Sequence, residues 1–191
     1  MRIQSVRRWG LAVLTVLAVA LGTVTLAPGA RPAQASGPRL AAAPSFTVLF
    51  DIINFSSNKC LQPAGVLPTA LIVQVSCSTT STLQQWSVSD QGDGHGLLRN
   101  LGSGLCMDLQ VDNDSQVGIP TLVSQRDCTA GRNTARWGFS AGSRSHFDQI
   151  FNQVQGRCMD VQNRSSADNA LLQVIECKFL ETAQEFQFRS H

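Results

Sequence analysis

Two aspartates occur in the same short phrase. Asp108 stands in Gly104-Leu105-Cys106-Met107-Asp108-Leu109, and Asp160 in Gly156-Arg157-Cys158-Met159-Asp160-Val161. A carboxylate in such a place accepts hydrogen bonds, either from the hydroxyls of a ligand or from the N–H groups of its own turn. Other chemistries find less support. His95 sits in a glycine-rich loop, His146 in Ser-His-Phe-Asp and His191 at the end of the chain. These read as solvated surface groups, with no nucleophile or base beside them. No Gly-rich phosphate loop is present. The chain has six cysteines but no Cys-x-x-Cys, and no histidine lies at ligand spacing from a cysteine, so disulfides are expected and a metal is not. Six cysteines allow 15 pairings, which spacing alone leaves open.

The elements that must hold these groups recur. Cys60, Cys106 and Cys158 each open a block, and Cys77, Cys128 and Cys177 follow them 17, 22 and 19 residues later. An asparagine precedes each opening cysteine: Asn54, Asn100 and Asn152. Each second cysteine closes an aliphatic run, as in LIVQVSC, TLVSQRDC and LLQVIEC. The blocks then end on Trp86-Ser87-Val88, Trp137-Gly138-Phe139 and Phe186-Gln187-Phe188. Three copies of about 45 residues therefore tile Phe46 to Arg189, with boundaries near 46–90, 91–140 and 141–191. Apolar runs are short, rich in Val, Ile, Leu and Phe, and separated by Gly, Asn, Asp and Ser clusters. No window sustains a 3.6-residue stripe, so the class is all-β. Three copies are too few for a propeller, and a closed threefold structure fits the count.

The start of the chain has a different character. Arg2, Arg7 and Arg8 precede an uncharged stretch rich in Leu, Ala and Val, and Ala33-Gln34-Ala35 is a small-x-small cleavage pattern. Residues 1–35 read as a signal peptide and 36–45 as a short linker, which implies a secreted, extracellular protein. The stretch also has the length of an uncleaved anchor, and Arg7-Arg8 is compatible with twin-arginine export. Cleavage before Ser36 removes Arg2, Arg7, Arg8 and Arg31, taking the formal charge from +2 to −2. That balance excludes a nucleic-acid footprint, and no membrane association is expected after cleavage.

The Cys-x-Asp phrases, the closing Asp/Glu-Cys of the second and third copies, and the Gln84-Gln85-Trp86 motif resemble the ricin-type β-trefoil lectins. The last motif survives as Gln184-Glu185-Phe186 and degrades to Ala135-Arg136-Trp137. The resemblance covers nearly all of the chain beyond residue 45. It implies a β-trefoil domain over 46–191, with six barrel strands, six strands in capping hairpins and pseudo-threefold symmetry. It also implies one disulfide per copy: Cys60–Cys77, Cys106–Cys128 and Cys158–Cys177. The closing aromatics should fill a shared core.

For sugar binding, the resemblance implies the Cys-x-Asp carboxylate, the positions four and two before the second cysteine, and the two residues of an Asn-Gln pair. In the third copy these are Asp160, Gln173, Ile175 in place of an aromatic platform, and Ala183-Gln184. The second offers Asp108, Ser124, Arg126, Thr134 and Ala135; the first offers Gln62, Val73, Val75, Leu83 and Gln84. The carbohydrate site is thus expected at Asp160, Gln173, Ile175 and Gln184, with Asp108 a weaker second. Arg126 is expected to reach Asp108 across the vacated second site.

The function expected is a secreted carbohydrate-binding module, without catalytic residues or cofactor, whose partner is a glycan or polysaccharide. Asp108 and Asp160 fall in different copies of the implied fold and do not flank one glycosidic bond. The alternative is a degenerate trefoil that binds a protein or inhibits a protease through exposed loops such as 110–119 or 91–96.

Overall fold

The computed structural model describes residues 48–128 and 131–190, so the expected leader and linker, and His191, lie outside the described residues. Twelve strands form one antiparallel network. The first four are β1 (Phe50–Asn54), β2 (Cys60–Pro63), β3 (Ile72–Val75) and β4 (Gln85–Asp90). Next come β5 (Gly96–Asn100), β6 (Cys106–Leu109), β7 (Thr121–Arg126) and β8 (Arg136–Ala141). The last are β9 (Asp148–Asn152), β10 (Arg157–Val161), β11 (Ala170–Ile175) and β12 (Phe186–Ser190).

Six strands pair in a closed cycle, β1–β4–β5–β8–β9–β12 and back to β1. Closure leaves this set without a free edge. The remaining strands form three hairpins, β2–β3, β6–β7 and β10–β11. β11 pairs with both β3 and β7, and Leu71 bridges to Ser124, so the hairpins hold one another.

Alternation decides which side chains enter the core. Trp86, Trp137 and Phe186 are fully buried, with Ile52, Leu98 and Ile150 from neighbouring barrel strands. A buried indole needs an acceptor for its N–H. Trp86 Nε1 donates to Leu61 O at 2.9 Å, and Trp137 Nε1 to Met107 O at 3.0 Å. Each aromatic thus locks the barrel to a hairpin strand, and Phe186 does so by packing alone.

The asparagine before each opening cysteine has a purpose that composition does not reveal. Asn54 Nδ2 donates to Ala183 O (3.1 Å) and Glu185 O (3.3 Å), Asn100 Nδ2 to Leu83 O (2.8 Å), and Asn152 Nδ2 to Thr134 O (2.7 Å). Each Oδ1 accepts from the following turn, for example from Gly102 N and Ser103 N at Asn100. All three are buried, and each ties the start of one block to the end of the block before it, the first being tied to the last.

Three disulfides join Cys60–Cys77, Cys106–Cys128 and Cys158–Cys177, with Cα separations of 5.0, 4.9 and 4.8 Å. The residue two places before each opening cysteine takes a left-handed backbone: Asn58 at φ 53°, Gly104 at 71° and Gly156 at 60°. That conformation explains the glycine of the repeated Gly-x-Cys phrase. A different constraint acts at Gly138, where an added Cβ would lie 2.2 Å from the Phe151 ring.

Candidate functional site

Strand register puts the candidate groups opposite one another. Asp160 faces Gln173 and Cys158 faces Ile175; Asp108 faces Ser124 and Cys106 faces Arg126; Gln62 faces Val73 and Cys60 faces Val75. A short 3₁₀ turn before each closing strand then brings in Gln84, Ala135 or Gln184.

In the third block Gln173 Nε2 donates to Asp160 Oδ1 at 3.1 Å. Asp160 and Gln173 are almost entirely buried, while Ile175 is half-buried at the rim. Burial pushes the Asp160 carboxyl above its ordinary value, against the pull of hydrogen bonds from Gln173 and Gln184. Glu181 adds to the rise and Lys178 opposes it. Gln184 is fully buried and serves the protein's own backbone: Nε2 donates to Glu176 O at 3.0 Å and Oε1 accepts from Lys178 N at 2.8 Å. Gln84 makes the same two bonds around Cys77, to Ser76 O and from Ser78 N. This glutamine therefore fixes the loop after the second cysteine.

The second block is closed from within. Asp108 is fully buried, its Oδ1 accepting from Leu109 N at 2.7 Å. Arg132 Nε lies 2.8 Å from Asp108 Oδ2. The N–H itself is aimed at Thr134 Oγ1 (3.2 Å), so the contact is an ion pair rather than a directed hydrogen bond. Arg132 also donates to Val111 O and Asp112 O. The expected partner was Arg126, and that expectation is wrong. Arg126 turns instead toward Asp112, with Nη2 3.8 Å from Oδ1. The loop before β8 delivers Arg132 directly onto the carboxylate and leaves the strand cation no place there.

Arg132 and Glu181 hold the same local position, each immediately preceding its 3₁₀ turn, as Ser81 does in the first block. Glu181 pairs instead with Arg164. Spacing alone did not reveal this position because the loops before it differ in length.

His95 is not simply solvated: its ring packs edge-on against Phe151, with Nδ1 3.5 Å from Asp93 Oδ1. His146 is exposed. Among the described residues there is no cluster of three metal-ligating groups and no helix long and apolar enough to cross a membrane.

A closed six-strand barrel, three interlocked hairpins and a carboxylate behind each of two Cys-Met phrases define a trefoil of the lectin type. The chain belongs to the ricin-type β-trefoil lectin domain family, whose model matches residues 48–186. No curated protein matches it. Among solved structures it is similar to the designed 3-fold symmetric protein ThreeFoil, at TM-score 0.66 and 22% identity over 74% of this chain and 97% of that one. A second likeness is to 1,3Gal43A, an exo-β-1,3-galactanase from Clostridium thermocellum. There the TM-score is 0.68 at 24% identity, over 78% of this chain but only 31% of the enzyme. A third is the Macrolepiota procera ricin B-like lectin in complex with lactose, at TM-score 0.61 and 13% identity, over 74% and 94%.

Proposed function

We propose that the protein is an exported, non-catalytic carbohydrate-binding module whose working site is in the third block. One observation carries this reading: among the described residues Asp160 accepts from the Gln173 amide and makes no ion pair, Lys178 acting on it only through its field, whereas Asp108 is neutralised by Arg132. An ionised carboxylate with a free oxygen accepts from two neighbouring ring hydroxyls. Gln173 aims it and Gln184 supports it from behind. The recurring contacts are read as three copies about a pseudo-threefold axis, over 46–90, 91–140 and 141–191, and residues 1–35 as the export signal.

Ile175 gives the sugar only an aliphatic face. The ring is instead supplied by Phe179, which is 82% exposed. Its loop is held by Gln184, and its neighbours Lys178 and Glu181 both act on the charge of Asp160, so the loop borders the carboxylate. One site of this kind binds at roughly millimolar to high micromolar Kd, about 4 to 6 kcal/mol.

A glycan array probed with the purified protein and with Asp160→Ala tests the reading. Binding that disappears in the variant supports it, and binding that survives places the site elsewhere. The rival reading, a protein-binding trefoil, draws on exposed Val66 and Leu67 in the β2–β3 hairpin loop and on Ile119. It predicts a captured protein partner that free sugars do not displace.

A further inference from the structure

At one end of the barrel lies a cavity of about 320 Å³, lined by Phe50, Val88, Phe139, Asp148 and Phe188. β1 and β9 run from here toward their hairpins, so this end is the one away from the lectin-type sites. The walls are aromatic: Phe188 meets Phe50 edge-to-face at 5.1 Å and Phe139 at 5.3 Å. Val88 and Phe139 remain 40% and 36% exposed.

The single charged group in this lining is Asp148, half-buried at the start of β9. Its carboxylate has no hydrogen bond or ion pair among the described residues. The cations of flanking segments are engaged elsewhere: Arg144 with Glu185, Arg189 with Asp51, and His95 beside Asp93. Burial alone raises the Asp148 carboxyl above its ordinary value, as expected of a charge lacking a partner. The adjoining cavity, which shares Val88 and Phe139, adds a second carboxylate in Asp90.

Three phenyl rings around an unpaired carboxylate attract an organic cation, through the ring quadrupoles and through the charge. The kind of cation follows from the polar groups available. A primary ammonium is strongly hydrated through three N–H donors, and the lining offers one side chain to replace the water it would shed against the rings. A quaternary ammonium brings no N–H donor. We propose that this barrel mouth is a second, non-carbohydrate binding site for a small quaternary ammonium compound, seated against Phe50, Phe139 and Phe188 with its charge facing Asp148.

The test is a titration of the purified protein, followed by amide and methyl NMR shifts. The probes are choline, its uncharged isostere 3,3-dimethyl-1-butanol, and ethanolammonium. Choline is expected to shift resonances at Val88, Phe139, Asp148 and Phe188, and to bind at least about fivefold more tightly than either competitor. Asp148→Asn should erase the preference over the uncharged isostere without disturbing the fold, since the side chain keeps its shape. Phe139→Ala should weaken choline by about fivefold and leave any Asp160-dependent sugar binding unchanged. Equal binding of choline and the neutral isostere by the unaltered protein overturns the proposal, as does preference for ethanolammonium or an absence of shifts at the mouth.

Discussion

Arg132 Nε sits 2.8 Å from the fully buried Oδ2 of Asp108, while Glu181, at the matching place in the third block, turns to Arg164 instead. One position before a 3₁₀ turn thus separates two otherwise similar Cys-Met-Asp strands. In one the aspartate is an anion with its counter-ion built in; in the other it accepts from an amide and makes no ion pair among the described residues. The pair also gives Asp108 a structural partner that needs no ligand.

Removing Arg132 therefore costs stability rather than sugar binding. Arg132→Ala leaves a buried carboxylate unpaired, and the expected loss is about 3 kcal/mol in urea unfolding. Asp108→Asn costs less, because the Arg132 side chain retains 18% exposure and water can take part of its charge. The double variant should recover part of the loss, giving a coupling of at least about 1 kcal/mol. A coupling near zero shows that the contact contributes nothing.

Acid should act on Asp160 in two opposite ways. Burial raises its folded carboxyl above the unfolded value, so the folded protein takes up this proton first as pH falls. Above that raised value the ionised side chain costs stability, and the cost is relieved as pH falls from it to the unfolded value. Sugar affinity runs the other way, because the acceptor is the carboxylate. Affinity should fall with pH at a point above the ordinary aspartate value, while the fold still holds. Asp160→Asn should be weak and flat with pH. Wild-type affinity that tracks the unfolding curve instead removes Asp160 from the role.

Much of the barrel was legible because its signals are periodic. A cysteine pair and a closing aromatic recur in the same order in each block, and core side chains answer to alternation alone. Asp160 and Gln173 face each other across the β10–β11 hairpin, since a hairpin flanked by a disulfide leaves little freedom to slip. What was not legible comes from loops of unequal length. Nothing in the spacing pointed to Arg132, because 22 residues separate Cys106 from Cys128 where the other blocks have 17 and 19. The burial of Gln184 was equally hidden, since its partners are backbone atoms around Cys177, which carry no sequence signature.

The asparagine clamps supply a prediction about the fold. Asn100 Nδ2 faces Leu83 O at 2.8 Å and Gln85 O at 3.4 Å. Asn100→Leu strands those carbonyls and the amides of the next turn, at about 2–3 kcal/mol. Asn100→Asp should be worse at neutral pH, because it turns a carboxylate oxygen toward two carbonyls in a buried place. Thermal unfolding of the two variants decides, and an aspartate as stable as asparagine rules the clamp out.

The final prediction concerns the ring proposed to stack on the sugar. On the proposed reading, with Ile175 at the strand position, stacking is the task of Phe179 on the loop that Gln184 anchors. A sugar–aromatic contact is worth on the order of 1 kcal/mol beyond area burial, so Phe179→Ala should weaken binding by about fivefold to tenfold. Stability should hardly change, since the ring is 82% exposed and packs on little. Ile175→Trp should strengthen binding by a similar factor, and should rescue Phe179→Ala if both rings serve one sugar face. The four proteins are compared by titration with whichever glycan the array identifies. A Phe179→Ala variant that binds as well as the original, while Asp160→Ala does not bind, excludes the loop ring and leaves the site to its polar groups alone.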